Sequence, residues 1–395
     1  MEKLSDLISR FVQGHESVGS PSVVQQALTR ELVLNKYKEN EGLENSVKLL
    51  KEETTQYILK LFEQLPERFI SYLSCQPWYL FYVLHSLELI GAPQVNLKFV
   101  YDRLKECKLE SGGFGGGLLQ EAHLGCTFAA VCCVLTVGSY YPDALQLIET
   151  RQLVKFINRC RNNDGSYRIS PKHENDLRAI YCAIAIMRLT NCFDDKLFQG
   201  TSDYIVNCQN YDGGFGAFPG AESHAGYTYC AFASLVLLNE ENRIDRHRLL
   251  NWVVHRQMTF EGGFTGRCNK LVDSCYSFWC GSLIPIIQAG FDLFLDSTPH
   301  RILNREANQY YLLLCAQTLT GGFTDRPPHL PDAYHTCYAL SSLSLSQHSF
   351  IADHDSHDPV GDCNNYLEKV HPIYNISQAA YDFALKKFYN NDPYD

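Results

Sequence analysis

No stretch of this chain approaches twenty apolar residues without a charge or a turn signal, so no membrane-spanning helix is expected. The opening MEKLSDLISRFVQGHESVGSPS lacks a basic start followed by an apolar run, which argues against a secretory signal. Strand-like alternation is scarce, and there is no Cys-x-x-C pair of the kind that often builds a structural zinc site. Basic residues are also in deficit, 34 Lys and Arg against 44 Asp and Glu, for a net charge of −10. That balance excludes nucleic acid as an expected partner, and its field fades over roughly 8 Å at cellular salt. An anionic substrate would need a local basic patch. What the chain does have is material for a large core, 395 residues of which 45% are hydrophobic. Its 16 cysteines lie in apolar helical runs such as CTFAAVCCVL, where thiols act as small hydrophobes. A reducing compartment, the cytoplasm, is the expected location.

A glycine-containing turn recurs five times: SGGFGG, DGSY, DGGFG, EGGF and TGGF. Its aromatic falls at Phe114, Tyr167, Phe215, Phe264 and Phe323, spaced by 53, 48, 49 and 59 residues, which is a repeat architecture. Before each turn lies an amphipathic segment such as DRHRLLNWVVHRQM. After it comes a more uniformly apolar one such as HAGYTYCAFASLVLL. Outer helices wet on one face and inner helices covered all round predict an all-α fold, an α/α barrel of helical hairpins, because closing the ring covers the inner helices without polar end caps. The glycines are assigned to helix-to-helix turns. Residues 1–66 lack the repeat and are read as a helical extension, with the barrel over 67–395.

The stretch GRCNKLVDSCYSFW puts Arg267, Lys270, Asp273, Cys275, Tyr276 and Trp279 into one loop and the first turns of a helix. Two readings stand at this point: a solvated loop entering a core helix, or the lip of a site for an anion and a metal. Aligning the inner-helix starts superimposes Arg178, Cys275 and Tyr334, and beside them Tyr227, Tyr276 and His335. Asp176, Asp273 and Asp332 also coincide. Equivalent positions in a ring face the same end of its cavity, so Asp273, Cys275 and His335 are expected at one rim. A carboxylate, a thiolate and an imidazole suit zinc with a fourth position open. The alternative for His335 is a core histidine bonded to a carbonyl.

PWYLFYVLHSLEL, GGFGGG followed by HL, DLRAIYCA, HAGYTYC, RQMTFEGGFTGRCNKLVDSCYSFW, DAYHTCYALSSLS and HPIYNI, in order over roughly Trp78 to Ile376, resemble the β subunits of protein prenyltransferases, and among them the farnesyl-transferring family. The resemblance implies an α/α barrel, one zinc held by Asp273, Cys275 and His335, and a diphosphate pocket from His224, Arg267, Lys270 and Tyr276. It implies a cavity for the isoprenoid formed with Trp78, Arg178, Tyr181, Tyr227, Cys230 and Trp279. It further implies peptide contacts from Tyr82, His123, Glu174, Arg178 and Tyr334, and magnesium held against the diphosphate by Asp325. The implied partners are an α subunit forming a heterodimer, farnesyl diphosphate, and Cys-a-a-X proteins such as small GTPases.

The chemistry agrees with these roles, since a free thiol near pKa 8.5 is only a few per cent ionised at neutral pH and the substrate cysteine needs activation. Chain-length choice needs a steric stop. Five extra carbons at about 0.8 kcal/mol each would favour a twenty-carbon tail by roughly 4 kcal/mol. The implied stop is Trp78 with Tyr181, whereas geranylgeranyl-transferring relatives have small residues at the place of Trp78. Tyr82 departs from the family's Trp, which bears on peptide preference, and Cys126 and Phe128 stand where Pro and Tyr are common. The alternatives are a geranylgeranyltransferase β subunit, type I or Rab-type, and a non-catalytic barrel scaffold. The Asp-x-Asp-Asp and Asp-Asp-x-x-Asp motifs of terpene cyclases are absent.

Overall fold

A computed structural model describes residues 3–11, 20–92, 95–290, 302–348 and 359–389. Among the described residues there are helices, turns and isolated β-bridges but no strand. Helices α1 (Leu4–Phe11) and α2 (Pro21–Glu39) open the chain, followed by α3 (Lys51–Glu63). Inner helices α4 (Gln76–Ile90), α6 (Leu124–Gly138), α8 (Leu177–Leu189), α10 (Ala225–Leu238), α12 (Ser274–Trp279) and α15 (Ala333–Gln347) alternate with outer ones. The outer set is α5 (Leu97–Cys107), α7 (Thr150–Cys160), α9 (Thr201–Asn207), α11 (Arg246–Val254) and α14 (Arg305–Tyr310), the last running into a π turn at Tyr311–Ala316. Each inner helix packs on the next, and α15 packs back on α4, closing the ring.

Composition explains the two layers. Every residue of α6 is buried, as a sequence apolar but for Thr127 and Thr136 allows. In α7 only Leu153, Phe156, Ile157 and Cys160 are buried, one stripe at helical spacing. The five repeat aromatics are at most 1% exposed, each contributing on the order of 1.5–3 kcal/mol of burial. Three repeats share a further device. The backbone N–H groups of Phe114, Phe215 and Phe323 donate to the hydroxyls of Thr127, Thr228 and Thr336, tying turn to inner helix.

Ring closure uses α3. Gln209 and Gln257 accept the N–H groups of Asp245 and Asn304, where the next outer helices begin, and Gln317 does the same for Leu50. Gly321, at φ +85°, lies so close to the start of α3 that a Cβ there would overlap the Glu53 carbonyl. Thus α3, within the segment read from sequence as an extension, sits where the last repeat needs its outer helix. Helix α2 lies outside this ring and clasps the loop after α11. Its Tyr37 hydroxyl donates to Glu261 O (2.6 Å), its Arg30 pairs with Glu261 (3.3 Å), and Gln26 donates to Lys270 O (3.2 Å).

One inner segment differs from expectation. DSCYSFWCGSLIPII reads as a single helix, yet α12 stops at Trp279 and α13 (Leu283–Gly290) starts separately. Pro285 has no N–H to give and its ring would collide with the carbonyl four residues back, at Gly281. The polar run from Ala352, read as a loop, lies partly outside the described residues. Beyond it the chain turns tightly at 371–376 and then forms α16 (Gln378–Phe388).

Candidate active site

The inner helices begin with a common local rule. The residue before each of α6, α8, α10, α12 and α15 caps it with its own side chain: His123, Asp176, His224, Asp273 and Asp332. Such caps satisfy N–H groups that a helix start leaves free. They also place the residues two and three positions on at one rim, which is the register read from the sequence. Cys275 and Tyr276 follow cap Asp273, and Tyr334 and His335 follow cap Asp332.

There the Asp273 carboxylate, Cys275 Sγ and a His335 ring nitrogen lie within 4.8 Å of one another. His335 is oriented from behind: Asp332 accepts its backbone N–H (2.8 Å) and faces its Nδ1 (2.6 Å), while Nε2 points to Asp273 (3.4 Å). That arrangement leaves Nε2 as the ring nitrogen available to a metal, with a carboxylate fixing the tautomer. Burial works against a charged His335, but Asp273 and Asp332 outweigh it and raise its pKa to about 10. Burial and the neighbouring Asp273 push the Cys275 thiol well up. Both groups are therefore protonated at neutral pH without a metal, and a metal must displace their protons. The donor set of one carboxylate, one thiolate and one imidazole fits zinc.

Beside the triad opens a cavity of about 630 Å³. Its walls are a closed circuit of rings contributed by all six inner helices. Trp78 meets Phe128 (6.1 Å), Phe128 meets Tyr181 (5.4 Å), Tyr181 meets Tyr229 (5.5 Å) and Tyr229 meets Trp279 (5.1 Å). Trp279 meets Tyr338 (4.6 Å), Tyr338 meets Tyr334 (4.7 Å), and Tyr334 meets Tyr82 (5.6 Å), which stacks on Trp78 (5.8 Å). A chamber walled by aromatic rings, with charged groups at its rim, suits an amphiphilic ligand.

At the mouth, His224 Nδ1 accepts the N–H of Gly226, so the neutral ring carries its proton on Nε2, 3.1 Å from the Tyr276 hydroxyl. Burial, with Arg267 next in weight, lowers His224 to about 4 and keeps it neutral. Gly266 makes the Tyr276 position possible, since a Cβ there would overlap the phenol ring. Arg267 lines the same mouth, held at 3.0 Å by Glu222 in an exposed pair that costs little to exchange.

Most residues singled out from sequence meet here. Trp78, Tyr82, His123, Glu174, Arg178, Tyr181, His224, Tyr227, Cys230, Arg267, Tyr276, Trp279 and Tyr334 all line the cavity. Arg178 is engaged by Asp176 (2.6 Å) and lies over the Tyr227 ring. The triad Asp273, Cys275 and His335 stands beside the cavity and is not among its lining residues, and neither are two further candidates. Lys270 is exposed beyond the mouth, and Asp325 has its carboxylate taken by Arg326 (2.7 Å) and His329 (2.7 Å). Sequence reasoning gave no role to Tyr229 and Tyr338, although both lie on apolar inner helices already identified. Tyr338 was signalled by its i+4 spacing from Tyr334. Tyr374 and Asn375, from the C-terminal turn, carried no such signal.

Residues 49–376 match the family described as the prenyltransferase alpha-alpha toroid domain. The chain is 34% identical to the Arabidopsis thaliana protein farnesyltransferase subunit beta, covering 84% of this chain and 81% of that protein. To the same subunit of Schizosaccharomyces pombe it is 35% identical, covering 84% and 88%. Similarity to the Arabidopsis thaliana geranylgeranyl transferase type-1 subunit beta is 37% but spans only 56% of this chain. Among solved structures, Candida albicans protein geranylgeranyltransferase-I complexed with GGPP superposes with a TM-score of 0.72 at 25% identity, covering 86% of this chain and 99% of that one.

Proposed function

The chain belongs to the β-subunit family of protein farnesyltransferases, and we propose that it transfers a farnesyl group from farnesyl diphosphate to the cysteine thiol of Cys-a-a-X proteins. The observation that carries this is the juxtaposition at one rim of a zinc-type triad and a diphosphate-type cluster, above an aromatic chamber. Asp273, Cys275 and His335 would hold zinc, which when bound would keep a substrate thiol deprotonated at neutral pH. Arg267, the Nε2–H of His224 and the Tyr276 hydroxyl sit where a diphosphate leaves the chamber's mouth. Burial and the adjacent Cys275 push the Tyr276 hydroxyl up, so it remains a donor.

In the reaction the thiolate sulfur bonds to the first carbon of the prenyl chain while the bond from that carbon to the diphosphate oxygen breaks. The proton of the thiol has already left to solvent. Charge grows on the departing diphosphate, and donors fixed beforehand toward that point lower the barrier without reorganising. Lys270 joins them once its exposed side chain turns inward. Asp325 would hold magnesium only by exchanging Arg326 and His329 for the ion, which suits a weak site. His123, Glu174 and Arg178 bind the carboxylate end of the peptide, and the rings of Trp78, Tyr82 and Tyr334 take its aliphatic residue.

The farnesyl reading is favoured over the geranylgeranyl one by Trp78, whose indole packs at 6.1 Å on Phe128 and occupies the chamber wall. We assign the chain an α-subunit partner and a cytosolic site of action. Co-expression with an α subunit and turnover of a Cys-a-a-X peptide with farnesyl and geranylgeranyl diphosphate tests the whole. Preference for the farnesyl donor is expected, and Cys275→Ala should lose zinc and turnover while still binding the diphosphate. A Cys275→Ala enzyme with zinc and activity intact would refute the assignment.

A further inference from the structure

The chain's own C-terminal turn reaches the chamber, where Tyr374 and Asn375 join Tyr181 and Tyr229 among the lining residues. Within that turn the His371 N–H donates to Ile376 O (2.7 Å) and the Asn375 N–H to His371 O (2.9 Å), with Asn375 at φ 53°. Hydroxyls from two neighbouring inner helices converge on its tip. Tyr181 OH lies 2.7 Å and Tyr229 OH 2.6 Å from the single carbonyl of Ile373, and Tyr229 also reaches Pro372 O at 3.0 Å. A third hold comes from α4, whose buried His85 Nε2 is 3.3 Å from Asn375 Oδ1 and 3.2 Å from Ser341 Oγ. From behind, Tyr374 packs on His371 (5.0 Å) and on Tyr381 of α16 (5.5 Å).

We infer that the turn 371–376 is a plug that sets the depth of the chamber, and that the hydroxyls of Tyr181 and Tyr229 select prenyl chain length by tethering it. This rests on the prenyl-transfer reading above and goes beyond the bulk of the rings. A carbonyl oxygen has two lone pairs, and the Ile373 carbonyl is satisfied by these two phenols. Phenylalanine at both positions keeps nearly the same volume but takes both donors from that half-buried carbonyl, so the plug gains reason to withdraw toward water. A tail five carbons longer needs depth, and only movement of the plug supplies it while every ring stays in place. Asn375 offers an independent handle. Glycine holds the same positive φ without strain and removes the side chain from the chamber's lining.

The test uses the assembled heterodimer. Displacement of a fluorescent prenyl diphosphate by farnesyl and by geranylgeranyl diphosphate gives their affinity ratio for wild type, Tyr181→Phe/Tyr229→Phe and Asn375→Gly. The ratio should shift toward the longer chain by about tenfold in the double variant and by severalfold in Asn375→Gly, with zinc content unchanged. Ratios within twofold of wild type in both would overturn the plug. If the double variant does not fold, Asn375→Gly decides. A wild-type heterodimer that binds neither diphosphate overturns the prenyl-transfer reading and the plug with it.

Discussion

Replacing Asp332 by asparagine separates two tasks performed by one side chain. Oδ1 caps α15 by accepting the N–H of His335, while Oδ2 lies 2.6 Å from His335 Nδ1 and aims Nε2 at the zinc position. Asparagine is as good an N-cap as aspartate, so the helix start survives, but the charge behind the imidazole is gone. A hydrogen bond to a charged group is worth about 1.5–3 kcal/mol, which at 1.4 kcal/mol per decade is about 10- to 150-fold. Loss of a metal ligand's supporting carboxylate independently suggests about 10- to 100-fold in metal affinity. We therefore expect zinc to bind Asp332→Asn some tens of times more weakly, with the melting temperature of the zinc-free protein changed far less than by His335→Ala. Competition against a chelator of known affinity, at one fixed pH on the purified heterodimer, measures it. Affinity within threefold of wild type, in a variant whose His335→Ala counterpart loses zinc, would show that Asp332 acts only as a cap.

Three further outcomes follow from the same geometry. Because His335 is raised to about 10 by Asp273 and Asp332 against its burial, its charged form stabilises the zinc-free fold fully below about pH 6.5. That contribution is lost as pH rises toward 10, so zinc-free melting temperature should fall over this window, while zinc affinity rises as His335 and Cys275 give up protons. Calorimetry of zinc binding in two buffers of different ionisation enthalpy should count close to two protons released at neutral pH. Gly266→Ala should displace the Tyr276 ring and break its contact with His224, lowering the single-turnover rate about 10- to 100-fold with zinc content unchanged; an unaltered rate would remove Tyr276 from the leaving-group cluster. Arg326→Ala should leave the Asp325 carboxylate held by His329 without the guanidinium and lower the magnesium concentration giving half-maximal rate, and identical titrations for variant and wild type would argue against Asp325 as the magnesium ligand.

The repeat, the two kinds of helix and the position of the zinc-type residues within them are legible in the order of amino acids alone. All three depend on short-range order: helical periodicity within a segment, glycine where the turn demands it, and a capping side chain two or three residues before the functional one. Because the caps repeat, counting from Asp273 and Asp332 was enough to bring Cys275 and His335 to one rim. Tertiary structure decided what joins segments far apart in the chain. That α3 completes the ring depends on Gln317 and Gly321 meeting Leu50 and Glu53 across some 270 residues, and no local pattern encodes such a meeting. The break between α12 and α13 was visible in Pro285 but masked by the apolar run around it. Asp325 could be placed in a turn from its neighbours, yet only the fold showed Arg326 and His329 closing on its carboxylate. The turn that reaches the chamber was least legible, because HPIYNI has neither helical period nor unusual composition. Its part is set by backbone carbonyls, which every residue carries alike, and by which two tyrosines the closed ring happens to bring within reach of them.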